Sequence, residues 1–198
     1  MDEVTEEFED CSPRADSLIH SLRAFGYGLG MAIADLIDNS VFAESKLIKI
    51  SYDWNDADPF ISILDDGKGM SEPELLNAMK FGSNSPLEVR DPNDLGRFGL
   101  GLKTASLSQC KQLTVATKSL GTSTSIRYWD LDHVEKVKKW EIGKNPDLRV
   151  KELITPLNSM ESGTIVIWKK LDKYFDFNKE IEDGSEIFNK KFLEEIKY

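Results

Sequence analysis

The spacing of apolar residues predicts helices near both ends of the chain. Residues 14–26 follow a proline and place Leu18 and Leu22 at the spacing of a short amphipathic helix. In residues 31–43 apolar residues recur with the same period, and a last helix is predicted over 189–198. Each of these helices can bury one face in a core.

The helix predicted over 31–43 carries two polar residues, Asp35 and Asn39, that lie four positions apart and therefore share one face. Neither residue type favours a helix interior, and burying either one costs free energy unless it finds a partner. The pair therefore indicates that other parts of the chain, or a ligand, supply polar contacts to this helix.

Alternation of apolar and polar residues predicts strands elsewhere, beginning with residues 47–54 and 60–64. Further strands are predicted over 112–119, 122–131, 136–142, about 148–154, and 163–171. A run of consecutive strands favours a mixed, largely antiparallel sheet with the earlier helices on one face. We therefore expect an α/β fold, a two-layer α/β sandwich.

Two glycine-containing segments each adjoin the start of a predicted helix. Residues 65–70, DDGKGM, follow a strand and precede a helix over 71–81, whose first turn has a capping box made by Ser71 and Glu74. Residues 96–110, GRFGLGLKTASLSQC, become helical after their glycines. Free backbone N–H groups and the helix dipole at such a terminus favour an anion, so we interpret this segment as a phosphate cradle.

The segment between these two helices, residues 82–98, contains two prolines and two glycines and has no sustained periodicity. Loops of this length in a compact domain are commonly active-site lids or binding loops. We therefore interpret residues 82–98 as a lid over the phosphate cradle.

Length and composition indicate one domain. A chain of 198 residues with 40% apolar content can form one substantial core, which we place in residues 13–198, while residues 1–12 read as a flexible acidic arm. No apolar run reaches the roughly 18 residues of a membrane helix, and the acidic start does not resemble a signal peptide. We expect a cytoplasmic protein without a membrane partner.

The charge and the cysteines exclude other classes. A formal net charge of −10 argues against broad nucleic-acid binding by this domain alone, because neutralising phosphates requires clustered Lys and Arg. Cys11 and Cys110 have no paired-ligand spacing and form no zinc-like cluster with His20 or His133. A structural metal or a disulfide framework is therefore not expected.

The order of the motifs is more specific than any one of them. An Asp-x-x-x-Asn helix is followed by DDGKGM, a lid, GRFGLGLK, and a Gly-Thr pair that opens a late strand. This order resembles the GHKL ATPase superfamily, which has the Bergerat ATP-binding fold, over about residues 17–172. Within the superfamily, AIADLIDNS, DDGKGM and DLGRFGLGLKTAS look most like the bacterial MutL-like and MORC-like group.

The resemblance implies a domain that binds ATP with Mg²⁺. It assigns Asn39 to the metal, Asp65 to the adenine amino group, Gly67 and Gly69 to close approach of the backbone to the base, Met70 to packing near the base, and Thr164 to supporting the base contact. It assigns phosphate binding to the backbone at Gly99, Leu100, Gly101 and Leu102, with Lys103, Ser83 and Arg97 nearby.

Position 35 departs from the superfamily pattern. Relatives commonly carry a Glu there as the general base, and Asp35 is one methylene shorter. We favour Asp35 as the base because Asp38, the other candidate, is about 100° around the helix from Asn39. Phe42 replaces an Asp found in many relatives, which indicates one lost contact. General-base help is worth about 10² to 10⁴ in rate, so we expect ATP hydrolysis to be slow.

The resemblance also implies a larger assembly. It predicts the N-terminal module of an ATP-gated clamp acting on DNA in defence, restriction or repair, with DNA contacted only indirectly or through other domains. In relatives a downstream domain donates a lysine to the γ-phosphate and couples ATP binding to homodimer formation, so this chain by itself is expected to dimerise weakly. The alternatives are a nucleotide sensor that does not hydrolyse ATP, and a chaperone-type or histidine-kinase-type ATP-binding module.

Overall fold

The computed structural model describes residues 9, 11–24, 27–54, 58–82, 101–173 and 184–196. The predicted arm and lid therefore lie largely outside the described residues. In chain order the elements are α1 (Ala15–Arg23), α2 (Leu29–Phe42), β1 (Ile48–Asp53), β2 (Phe60–Asp65), α3 (Glu72–Met79), α4 (Gly101–Gln109), β3 (Gln112–Lys118), β4 (Ser125–Asp130), α5 (Leu131–Val137), α6 (Leu148–Asn158), β5 (Gly163–Lys169) and α7 (Gly184–Ile196).

The five strands form one sheet in the order β1-β2-β5-β3-β4, and every neighbouring pair is antiparallel. The last strand in the sequence, β5, thus lies in the centre, between β2 and β3. Its register places Thr164 opposite Asp65 on one side and opposite Thr117 on the other. The architecture confirms the predicted α/β fold with helices layered on a sheet.

The larger core lies between the sheet and helices α1, α2, α3, α4 and α7. Leu36 of α2, Ile61 of β2 and Trp168 of β5 are all buried in this core. Successive side chains of a strand point to opposite faces of the sheet. Ile167, next to Trp168, therefore faces the other side and belongs to a second core. Burial of these two faces is the main apolar contribution to the stability of the sheet.

The second core is covered by α6, which corrects one sequence prediction. Residues 148–154 were predicted as a strand, but Leu148–Asn158 are helical, and Val150, Ile154 and Leu157 pack against the sheet. These apolar residues recur at spacings of four and three, which is the helical period. The helix therefore lies on the face opposite to the earlier helices.

The strand predicted over 136–142 is also wrong. Helix α5 runs to Val137, and Lys138 then adopts a left-handed conformation with φ of 57°. Only an isolated bridge follows, in which Gly143 and Tyr128 exchange backbone hydrogen bonds of 2.8 and 2.9 Å. Trp140 packs against other aromatic rings instead of alternating across a ladder.

The capping box predicted at the start of α3 is confirmed. The backbone N–H of Ser71 donates to the Glu74 carboxylate at 2.7 Å, and the Ser71 hydroxyl donates to the same oxygen at 2.6 Å. This cap fixes where the loop after β2 ends.

Among the helices in the described ranges, none is long and apolar enough to cross a membrane.

Candidate nucleotide site

A cavity of about 300 Å³ lies between α2, the loop that follows β2, the start of α4 and the central strands. Seven residues predicted for the nucleotide site line it: Asn39, Asp65, Gly69, Met70, Gly101, Leu102 and Thr164. Most of the remaining wall is apolar, including Leu36, Ile63 and Val166. An apolar cleft with a few convergent polar groups is the usual form of a small-molecule site.

Asp65 is the buried carboxylate of the cavity, with 6% of the residue exposed. Its Oδ1 accepts a hydrogen bond from the Gly67 backbone at 2.9 Å, and its Oδ2 accepts one from the Ser40 hydroxyl at 3.0 Å. Burial raises the pKa of Asp65, although these hydrogen bonds favour the ionised form. The Thr164 backbone N–H also favours the ionised carboxylate. A carboxylate has about four acceptor sites, so Asp65 can still accept an N–H donor from a ligand.

A chain of hydroxyl contacts supports the neighbouring wall. The Thr117 and Thr164 hydroxyl oxygens are 2.9 Å apart, and Thr117 Oγ1 also lies 3.1 Å from the Gly163 carbonyl. The Met70 backbone N–H donates to the same Thr117 hydroxyl at 2.9 Å. Thr117 therefore fixes the positions of both Thr164 and Met70, although it does not line the cavity itself.

The two glycines of DDGKGM are required by protein contacts. A Cβ on Gly67 would lie 2.7 Å from Ala43, and one on Gly69 would lie only 2.0 Å from the Lys118 carbonyl oxygen. Gly69 also has φ of +64°, a conformation that L side chains rarely adopt. The missing side chains thus let the loop pack against the end of α2 and the end of β3. Their predicted role toward the base stays a prediction.

Helix α2 brings Asp35 and Asn39 to the same side of the molecule, as their spacing predicts. Asn39 is exposed and lines the cavity. Asp35 is half-buried and is not among the residues that line the cavity, but its Oδ2 is 4.0 Å from the Cβ position of Gly101, which does line it. Asp38, the alternative base, is exposed.

A tyrosine just before α2 holds Asp35. The Tyr27 hydroxyl donates to Asp35 Oδ2 at 2.5 Å. This hydrogen bond to the carboxylate, together with burial and the negative charge of Asp35, raises the pKa of Tyr27 to about 12. The phenol therefore stays protonated and remains a donor at neutral pH.

Lys103, which is predicted near the phosphates, contacts the end of α3. Its side chain is almost fully buried, and Nζ donates to the Ala78 carbonyl at 2.7 Å while lying 5.9 Å from the centre of the Phe81 ring. Burial lowers the pKa of Lys103 to about 8. In this structure the lysine links α4 to the end of α3 and is not among the residues that line the cavity.

Lys68 is a cationic side chain on the cavity wall. Its Nζ lies 4.9 Å from the centre of the Phe42 ring, and its backbone N–H donates to the Ala43 carbonyl at 2.9 Å. Phe42, noted above as a departure from the superfamily pattern, also lines the cavity. The Phe42 ring thus provides an aromatic face for the Lys68 ammonium group at the cavity wall.

Four predicted site residues cannot be compared with the structure. Ser83, Arg97, Gly99 and Leu100 all lie outside the described residues. Their assignment to the lid and to the phosphate cradle stays a prediction. The described part of that cradle begins at Gly101, the first residue of α4.

Sequence reasoning missed Ser40, Thr117 and Tyr27. Ser40 directly follows Asn39 and is buried. A polar residue on the apolar face of α2 is visible in the sequence, so Ser40 could have been identified from the helical pattern alone. Thr117 and Tyr27 act through partners 47 and 8 residues away, respectively. Such partners become visible only when the strand register and the chain path before α2 are known.

Together these residues make a site with two chemically distinct ends. A buried carboxylate and a hydroxyl pair can recognise a donor group on a flat heterocycle. Gly101 and Leu102, at the N-terminal side of the described part of α4, line the same cavity, and the positive end of a helix dipole favours an anion. Asn39 lies on the wall of the same cavity and presents a side-chain oxygen that suits a hard cation.

Comparison with known proteins agrees with this chemistry. Residues 27–164 match the family described as histidine kinase-, DNA gyrase B-, and HSP90-like ATPase. The chain is 32% identical to the ATPase morc-1 of Caenorhabditis elegans over 95 residues, which is 48% of this chain and 11% of that protein. It is 27% identical to ATPase MORC2B of Mus musculus over 144 residues, which is 71% of this chain and 12% of that protein.

The alignments thus span only about a tenth of the length of these two relatives. The family match, in contrast, covers most of this chain and includes α2, the loop after β2, α4 and the start of β5. These are the elements that form the cavity. The chain is therefore an ATP-binding domain of the histidine kinase-, DNA gyrase B-, and HSP90-like ATPase family.

Proposed function

We propose that this domain binds ATP together with Mg²⁺ in the cavity and hydrolyses the ATP slowly. The observation that carries the proposal is the convergence of Asn39, Asp65, Gly101 and Thr164 on one cavity from four separate elements. Each of these residue types suits a different part of Mg–ATP. An arrangement that served only folding would not need polar groups of this kind around a cleft.

The adenine end of the proposed site is built around Asp65. Ser40 and Gly67 hold its two oxygens in place, and the remaining lone pairs can accept the adenine amino group. Thr164 lies opposite Asp65 in the sheet and offers a hydroxyl to the same base. The apolar wall made by Met70, among others, covers the ring.

The phosphate end is formed by α2 and α4. Asn39 would hold Mg²⁺ through its side-chain oxygen, and a bound Mg²⁺ supplies positive charge that neutralises the phosphates. Backbone N–H groups at Gly101 and Leu102 would bind phosphate oxygens, because both residues line the cavity and the N-terminal end of a helix favours an anion. Ser83, Arg97, Gly99 and Leu100 are proposed to add contacts from the segment before α4.

Hydrolysis is proposed to use Asp35 as general base. Its half-buried position beside Gly101 puts the carboxylate next to the proposed phosphate cradle, whereas Asp38 is exposed. The short side chain of Asp35 favours a slow reaction, because general-base efficiency depends on hydrogen-bond distance to the attacking water. A domain in which this reach is insufficient would act as a nucleotide sensor.

Calorimetry tests the binding proposal. A non-hydrolysable ATP analogue should bind in a Mg²⁺-dependent manner, and Asp65→Asn should weaken binding by about 10- to 100-fold, as expected for loss of a charged hydrogen-bond acceptor. Asp66→Asn is the matched control, because Asp66 instead accepts the backbone N–H groups of Lys46 and Leu47 at 2.7 and 2.8 Å. Absence of binding at millimolar analogue, or equal loss in both variants, would contradict the assignment.

Turnover measurements on the same preparations separate the ATPase from the sensor. The parent should release phosphate from ATP slowly, Asp35→Asn should reduce the rate to background, and Asp38→Asn should leave it unchanged. A parent rate already at background, with analogue binding intact, would establish the sensor and remove the hydrolysis proposal.

We also propose that the domain is the N-terminal module of a longer ATP-gated clamp that acts on DNA. The proposal is supported by the relatives, which are far longer than the aligned region, and by the motif resemblance stated above. The net charge of −10 favours DNA contact through other domains. Light scattering of a longer chain should then show ATP-dependent homodimers that the isolated domain does not form.

A further inference from the structure

Tyr27 is the residue outside the predicted site that most directly contacts the proposed chemistry. Its hydroxyl donates to Asp35 Oδ2 at 2.5 Å, and its ring packs against the larger core. Eight residues separate the two in sequence, and Tyr27 lies two residues before α2 begins. The hydrogen bond therefore fixes the proposed base from outside its own helix.

The backbone of Tyr27 is also held in place. Gln109, a fully buried residue at the end of α4, donates from Nε2 to the Tyr27 carbonyl at 2.9 Å. Asp35 lies beside Gly101, the residue that begins α4. One end of α4 thus orients the tyrosine and the other end adjoins the aspartate, so the pair is positioned relative to the proposed phosphate cradle.

We infer that Tyr27 is a positioning residue that orients the Asp35 carboxylate for attack of water on ATP. The inference rests on the proposed hydrolysis. Tyr27 donates to Oδ2, the oxygen that lies 4.0 Å from the Cβ position of Gly101, and the other lone pairs of the carboxylate are available to the attacking water. In this step the water oxygen bonds to the γ-phosphorus, the bond to the bridging oxygen breaks with its electron pair on ADP, and the water proton passes to Asp35.

The short side chain makes this role important. A carboxylate on a freely rotating side chain adopts the orientation that contacts the attacking water for only part of the time. Even a small displacement from that orientation lowers the rate. The phenol fixes one oxygen without competing for the proton, because its own pKa of about 12 keeps it in the donor form. Tyr27 thereby restricts Asp35 to a single orientation.

Tyr27→Phe tests the inference because it removes one hydroxyl and keeps the ring in the core. We expect kcat for ATP to fall about 10-fold, as for loss of a hydrogen bond to a charged group, while KM and the affinity for a non-hydrolysable analogue change less than twofold. Tyr128→Phe on β4 is the matched control and should leave both parameters unchanged.

A spectroscopic arm reports the contact without turnover. With ¹³C-labelled tyrosine, the resonance that disappears in Tyr27→Phe should stay in the protonated form up to about pH 11 in the parent, and Asp35→Asn should shift its titration to lower pH. A titration that does not respond to Asp35→Asn would show that the Tyr27 hydroxyl does not donate to Asp35, and would overturn the inference.

The outcomes separate the two proposals. Unchanged kcat in Tyr27→Phe, or an equal loss of kcat, analogue affinity and thermal stability, overturns the role of Tyr27 while leaving ATP hydrolysis in place. A parent that binds the analogue but shows no turnover overturns both the hydrolysis and the role of Tyr27, whatever the spectrum shows.

Discussion

At the scale of single residues, the least expected feature is the burial of Lys103. Its side chain is 1% exposed, and the Ala78 carbonyl accepts its hydrogen bond. A carbonyl does not neutralise an ammonium group, so burial favours the uncharged amine and the pKa of Lys103 falls to about 8. The folded protein at neutral pH therefore keeps a charge where water is largely excluded.

Replacing this lysine should change how stability depends on pH. In the folded state the pKa of Lys103 is about 8, against 10.5 for an ordinary lysine, so between these values the unfolded chain binds more protons. The contribution of Lys103 to the free energy of unfolding therefore rises with pH across this window, by on the order of 3 kcal/mol in total. It is complete above pH 10.5 and is lost as the pH falls through 8.

The Lys103→Met variant has no titrating group at this position and therefore lacks the pH-dependent contribution of Lys103 to the free energy of unfolding. Urea unfolding of parent and variant at pH 7 and pH 10 should show the variant gaining stability relative to the parent at pH 7 and losing that advantage at pH 10. Taking the difference cancels the other titrating groups. A difference that stays the same at both pH values would contradict the burial of the charge.

Site residues could be predicted when they lie in a short sequence motif, and could not be predicted when their role depends on tertiary contacts. Asn39 and Asp65 lie in short motifs whose order identifies the superfamily, and both line the cavity. Thr117 and Tyr27 carry no motif, because their importance comes from side chains reached through tertiary contacts. The resemblance implies that Lys103 lies near the phosphates, and that role stays a prediction. Its contact with the Ala78 carbonyl of α3 could not be read from the sequence.

At the scale of elements, helices and strands were predicted correctly where the apolar periodicity is strong, and incorrectly where it is mixed. The strands at the core of the sheet and α2 have clear patterns and were confirmed within a few residues. Residues 148–154 are predicted as one of a series of strands, but they form the first part of α6, whose later residues include Pro156. The structure accommodates that proline inside the helix, near its end.

The N-cap of α6 offers a direct test of that helix. The Asp147 carboxylate accepts the Val150 backbone N–H at 2.9 Å, and Lys169 donates to its other oxygen at 3.1 Å. Asp147→Ala should reduce the free energy of unfolding by about 1 kcal/mol, the usual cost of losing an N-cap. Asp147→Asn keeps a capping oxygen and should lose less, and equal losses in urea unfolding would indicate that the cap is unimportant.

At the scale of the whole molecule, the core extends beyond the region that matches the family. Helix α7 lies after residue 164, where that match ends, yet Phe188 and Phe192 are 2% exposed and belong to the larger core. The Phe192 ring centre is 3.8 Å from that of Tyr52 on β1. The last described helix is thus part of the same folding unit as the site.

Truncation of this helix face should therefore destabilise the whole domain. Phe192→Ala should cost about 3 to 5 kcal/mol, the usual range for a buried aromatic residue. Leu193→Ala is the neighbouring control, since Leu193 is 47% exposed and should cost far less. The measurement is thermal or denaturant unfolding, and similar losses in both variants would mean that α7 does not contribute to the core as described.

The position of β5 was not predictable from local pattern. Apolar alternation indicates a strand but does not say which strands it pairs with, and the pairing depends on contacts between residues about 100 positions apart, such as Asp65 and Thr164. Strand β5 has apolar residues on both faces, and the burial of the second face is explained only by the packing of α6 against it.

The central place of β5 has a consequence for synthesis of the protein. Until the ribosome has passed Lys169, the emerging chain holds two separate hairpins, β1–β2 and β3–β4, that have no strand in common. Two-stranded units of this kind are marginal in water, so the nascent chain keeps apolar edges open until β5 has been made. Nucleotide could not help to hold these pieces together earlier, because Thr164 and the wall around it arrive with the same late strand.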